Sequence, residues 1–219
     1  MSRAAVETID ASGRRELDVS GLPDSGWDSR DPVWWGNTLL IFIESTTVLL
    51  LIVSYFYLRR NFTDWPPPQP NSFPPLFHPV PEWKIPTVET VLILLACFPM
   101  YWTDMAARRL DLRKTLLGVL LMLLITVIAI AMRFTEFRGS HFRWDDNAYG
   151  SLVWTLLALH LTYLLAAGAE FIIMGLYMLR HGIDMKHALD VTLAGGTWYW
   201  LAGTWILVFA TIQGGARYW

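Results

Sequence analysis

One cysteine among 219 residues excludes a disulfide framework and any thiolate metal cluster. Cys97 sits inside an apolar block, where a small buried hydrophobe is the simplest reading. Charge is scarce as well, at 16% of residues against 54% hydrophobic, with a net of −2. There is thus no basic surface for nucleic acid. Of five histidines only His160 falls within an apolar block, so neither a bis-histidine haem nor a binuclear copper centre can be assembled from this chain. Ser151 and His160 stand nine residues apart on one helix, roughly 13 Å along the axis, too far for a hydrolytic dyad. No internal repeat suggests an inverted-repeat transporter. The first thirty-odd residues, through Asp31, are polar and acid-rich, not basic and then apolar, so no cleavable signal is visible and the first helix is expected to direct insertion.

What the chain does have is long apolar blocks. A hydrocarbon core about 30 Å thick needs about 20 helical residues, and five blocks qualify: Trp34 to Leu58, Pro86 to Ala107, Thr115 to Met132, Tyr149 to Leu179 and Leu193 to Ile212. The expected fold is an all-α membrane bundle of five transmembrane helices (34–219) behind a polar cytoplasmic tail (1–33). Arg59, Arg108, Arg133 and Arg180 follow the first four blocks, as suits helix C-termini and interfaces. An N-inside arrangement puts ten Lys and Arg inside and seven outside, which favours the N-terminus inside and the C-terminus outside. Residues 61–85 carry eight prolines and read as a stiff extracytoplasmic cap rather than a signalling ligand. Trp34, Trp35, Trp83, Trp102, Trp154, Trp198 and Trp219 lie near expected span ends and read as interfacial anchors.

Depth at 1.5 Å per residue sorts the ionisable groups. Asp104 falls at a helix end with Arg108 at i+4, an ion pair. Glu136 has Arg133 at i−3, and both Glu136 and Glu170 are within reach of headgroups or water. Glu44 and His160 remain near the midplane, about 15 and 16 Å from their helix starts. A carboxylate there costs about 2.5–3.5 kcal/mol on insertion scales, so Glu44 needs a partner. Its shared depth with His160 makes their mutual hydrogen bond the economical expectation.

Read in order, these residues resemble one family, subunit III of the haem-copper (cytochrome c) oxidases. Trp35, Gly36 and Phe42 to Glu44 resemble the family's glutamate-bearing helix, with Tyr55, Phe56 and Tyr57 at its far end. His78, Pro79, Pro86, Glu89, Thr90 and Trp102 resemble the next loop and helix. Glu136 with Phe137 stands where the family has a glutamate and an aromatic. Asp146, Ala148, Tyr149, Gly150, Ser151 and His160 resemble its acidic turn, Tyr-Gly-Ser and helix histidine, and Trp198, Tyr199, Trp200 the entry to its last helix. Six pieces in order over about 175 residues make the pattern specific. The family commonly has seven helices, so this chain looks like a five-helix form lacking the first two. Tyr163, Leu201 and Thr204 replace two histidines and an aspartate of the family pattern.

The resemblance implies an accessory subunit of a respiratory terminal oxidase in a bacterial inner membrane. Such a subunit has no redox centre of its own, packs against subunit I and the other subunits, holds structural phospholipid and supports proton uptake. The same fold also serves nitric-oxide reductases. From a different class, a small proton-coupled transporter would explain a midplane Glu44, although no discontinuous helix or repeat is visible.

Overall fold

A computed structural model describes residues 7–9, 15–17, 32–69 and 80–218. Five helical segments are long and apolar enough to cross a membrane. The first is α1 (Pro32–Arg59); the second is made of α2 (Lys84–Leu95) and α3 (Cys97–Arg108); then come α4 (Leu112–Gly139), α5 (Ala148–His181) and α6 (Met185–Phe209). A π-helical turn (Ala210–Gly214) and a short α7 (Gly215–Arg217) follow α6. The chain is a multi-pass membrane protein whose membrane domain is all-α.

The break between α2 and α3 has a cause in the sequence. Pro99 has no N–H to give the carbonyl of Leu95, and the helix is interrupted at Ala96. Helix starts are marked by acceptors: Asp111 takes the Lys114 N–H at 3.2 Å, Asn147 the Gly150 N–H at 2.8 Å and Asp184 the His187 N–H at 2.8 Å. Gly182, with φ 79°, ends α5 in a backbone conformation that costs a side-chain-bearing residue strain. The most extensive packing joins α4 to α5, with α3 against α4 and α6. Helix α1 rests mainly on α5 and α6 and is the least buried span.

Two expectations are corrected. The third span runs to Gly139, not Met132, because Arg133 and Glu136 pair within the bundle and need not end the helix. Trp198 is no interfacial anchor: it is 1% exposed, in the core against Phe171. The polar N-terminal segment includes a two-stranded antiparallel hairpin of β1 (Glu7–Ile9) and β2 (Arg15–Leu17), in register Thr8 to Glu16. The β-branched Thr8 and Ile9 suit it. Residues 70–79 of the proline-rich segment, His78 and Pro79 among them, lie outside the described residues, as does Trp219. The described part of that segment packs Trp65 edge-on against Tyr55 and Tyr149, with centroids 5.4 and 5.2 Å away.

Candidate functional site

Two polar systems cross the bundle. The first is buried except at Glu136, whose side chain is 10% exposed. Arg133 lies about 9 Å inside the C-terminal end of α4, and Glu89 about 7 Å inside the N-terminal end of α2, so the packing of α2 on α4 brings them to one level. Arg133 Nη2 donates to Glu89 Oε1 at 2.8 Å, and Arg133 Nη1 to Glu136 Oε2. Arg133 and Glu89 are both 0% exposed. The same Nη2 approaches His160 Nδ1 at 3.2 Å, while His160 Nε2 faces the Leu201 carbonyl at 3.4 Å. Since arginine can only donate, Nδ1 accepts and the ring hydrogen resides on Nε2, directed at Leu201. Trp205 closes the site: the Arg133 guanidinium carbon sits 3.7 Å from its ring centroid, the His160 ring 4.7 Å away, and its Nε1 donates to Thr90 Oγ1 at 2.8 Å.

The second system fastens α1. Tyr163 Oη donates to Glu44 Oε2, Trp200 Nε1 to Ser45 Oγ at 2.8 Å, and Thr197 Oγ1 to Asn37 Oδ1 at 3.2 Å. Apolar side chains gain little by leaving lipid for protein, so such bonds and close packing must hold a peripheral helix. Beside them a cavity of about 920 Å³ opens between α1, α5 and α6, and a second of about 400 Å³ contains Glu44 and Tyr163. Asn37, Leu40, Ala166 and Glu170 line both, so the two form one cleft.

The expected Glu44–His160 bond is therefore not made. Equal depth leaves rotation about the helix axis free, and the two residues face different neighbours: Glu44 turns to Tyr163, His160 to Arg133 and Leu201. Glu136 is bonded to Arg133 within the protein, its side chain 10% exposed, instead of reaching out to headgroups. Asp104 pairs with Arg108 at 3.0 Å as expected and also accepts from Thr192. The Tyr-Gly-Ser stretch builds the start of α5. Tyr149 is buried beside Phe142 at 5.1 Å. A Cβ on Gly150 would lie 2.2 Å from the Arg143 carbonyl oxygen. Ser151 Oγ donates to the Trp144 carbonyl at 2.6 Å. Of the aromatic entry to the last helix, Trp198 is core, Trp200 holds Ser45, and Tyr199 is 40% exposed. Leu201 contributes only its carbonyl, and Thr204 bonds back to its own helix at the Trp200 carbonyl.

Sequence reading missed Glu89, Arg133 and Tyr163 as site residues. The available signal was that Glu89 and Arg133 lie equally far from the same face of the bundle. Among the described residues no three His, Cys, Asp or Glu side chains are placed to hold a metal ion. Both ring nitrogens of His160 are engaged, so these residues do not fit a haem ligand set.

A family model described as cytochrome c oxidase subunit III matches residues 30–218. The chain is similar to cytochrome c oxidase subunit 3 of Chondrus crispus, 21% identical over 148 residues, which is 68% of this chain and 52% of that protein. It is similar to the subunit 3 of Cyanidium caldarium, 24% identical over 151 residues, again 68% and 52%. The probable cytochrome c oxidase subunit 3 of Rickettsia felis is 20% identical over 151 residues, or 68% and 51%. The chain spans about half the length of the curated relatives it matches. It belongs to the cytochrome c oxidase subunit III family.

Proposed function

We propose that this member of the family is an accessory subunit of a bacterial membrane-bound terminal oxidase, with its N-terminus cytoplasmic. In this reading it packs against the catalytic subunit, keeps phospholipid in the cleft between α1, α5 and α6, and supports proton uptake by the complex. The observation that carries the reading is the family match across residues 30–218, which covers every membrane span. The excess of Lys and Arg on one side of the expected topology supports the orientation. The cleft supports the lipid role: it is lined mostly by apolar residues of three helices, with Asn37, His187 and Asp190 among its polar groups.

The test is affinity purification of the tagged chain from its native membrane in mild detergent, followed by absorbance spectroscopy. A co-purifying haem-copper oxidase is expected. A nitric-oxide reductase in its place would move the role to that enzyme, and recovery of the chain without any haem protein would overturn the reading.

A further inference from the structure

We propose that Glu89, Arg133 and Glu136 form a proton-binding site, in which the two carboxylates hold one exchangeable proton between them, reached from water through Glu136. The charge count comes first. One guanidinium serves two carboxylates, at 2.8 Å from Glu89 and in direct contact with Glu136. With all three ionised the cluster carries one uncompensated negative charge in the interior of a membrane protein. An unpaired charge there is held at several kcal/mol or neutralised. Taking up one proton brings the cluster to zero.

Among the described residues the surroundings supply no second cation. From α5 the facing titratable group is His160, whose Nδ1 accepts from Arg133 and therefore bears no proton to share. Helix α6 presents Trp205, which is uncharged. Ahead of α2 stands Glu82, whose backbone carbonyl accepts from Gln213 at 3.1 Å. Arg217 of α7 is occupied by the Pro81 carbonyl at 2.6 Å and by Gln213.

An independent observation points to where the proton resides. Glu89 is 0% exposed, and its Oε2 has no hydrogen-bond partner. An orphaned oxygen is far more costly on a carboxylate than on a neutral acid. Arg133 Nε is likewise unpartnered, so the guanidinium meets each carboxylate through a single nitrogen, Nη2 for Glu89 and Nη1 for Glu136. Access is also built in. Glu136 lines a small cavity of about 20 Å³, with Glu82, Thr135 and Ser140 around it, at the end of the bundle where α2 starts and α4 ends. That volume suits one water molecule with several polar neighbours. Hydronium from the water at Glu136 supplies the proton: its O–H bond breaks as one forms on a carboxylate of the pair, and it leaves as water.

The experiment is infrared difference spectroscopy of the full chain in lipid nanodiscs at neutral pH, comparing wild type with Glu89→Gln and with Glu136→Gln. Each variant is expected to lose the same carboxylic-acid C=O band, equivalent to one acid per chain, because either amide leaves one cation facing one carboxylate. The wild-type band should shift in D2O. A band kept by Glu136→Gln would overturn the shared proton, and a band that never shifts in D2O would overturn its exchange. The wild type tests the site without any variant: absence of a protonated-carboxyl band at neutral pH refutes it even if a Gln variant fails to fold.

Discussion

The hydroxyl of Tyr163 is the group that holds Glu44, and it stands one turn along α5 from His160. Removing it in Tyr163→Phe strands a half-buried carboxylate oxygen, at a cost of about 1–3 kcal/mol, whereas Glu44→Gln keeps an acceptor for the same hydroxyl. Thermal unfolding of the purified protein should therefore show the larger loss for Tyr163→Phe; the opposite order would mean that the hydroxyl does not hold Glu44. The same geometry separates Glu44 from His160, which share no hydrogen-bond partner. The effects of Glu44→Leu and His160→Leu on unfolding free energy should accordingly add to within about 0.5 kcal/mol. A larger coupling would show that the two polar systems act as one. Depth was legible in the sequence, since it needs only a count of residues, but partner choice was not. Rotation about each helix decides which side chain meets which, and tertiary packing sets that rotation. Arg133 was misplaced for a related reason: a cation next to an apolar run reads as the end of a span unless its two carboxylates, Glu89 and Glu136, are seen to converge on it.

Small residues let the helices approach at particular positions. A Cβ on Gly118 of α4 would fall 2.0 Å from Thr103 Oγ1 of α3, and Thr103 is buried with its hydroxyl bonded to the Pro99 carbonyl at 2.7 Å. Gly118→Ala should destabilise by about 1–3 kcal/mol through overpacking. Gly196→Ala in α6, where nothing lies within 4 Å of the added carbon, should be neutral or stabilising. Equal melting temperatures for the two variants would show that the α3–α4 approach is not tight. Helix caps outside the membrane give a pH dependence. The Lys114 side chain and backbone N–H hold the Asp111 carboxyl below its usual range. The stability it contributes is complete above the unfolded aspartate value of about 3.9 and is lost as pH falls through the lower folded value. Asp111→Asn still caps α4 but does not titrate. The stability difference between wild type and variant should therefore shrink as a melting series is taken into acid, and a constant difference would exclude an ionic contribution. Elements were read from the sequence more reliably than sites. Five long apolar blocks and a proline allow few alternatives; boundaries slipped most at the end of α4, where Arg133 pairs inside the protein, and at the start of α6, which begins at Met185 behind the Asp184 cap instead of at Leu193.

At the scale of the molecule, the distinctive feature is a first helix supported on one side only. Helix α1 packs on α5 and α6 and leaves Phe42, Ile43, Leu50 and Val53 between 61% and 70% exposed. The cleft along its supported side has a main cavity of about 920 Å³. His187 and Asp190 mark the end where α6 begins, and Leu40, Ala166 and Ile173 form an apolar wall toward Glu44, with Asn37 and Glu170 as polar groups along the way. In the proposed lipid role the headgroup would sit at the α6 start and the chains would run along α5. Ala166 and Ala169 are exposed residues that line the cleft, outside the core, so Ala166→Phe together with Ala169→Phe fills the space without disturbing what holds the helices. Native mass spectrometry of the gently extracted protein should find bound phospholipid on the wild type and little on the double variant, with the same thermal unfolding for both. Leu124→Phe, on an exposed apolar position of α4 away from the cleft, should keep the lipid. Lipid retained in full by the double variant would place it elsewhere on the bundle, and a wild type extracted without lipid would remove the role altogether.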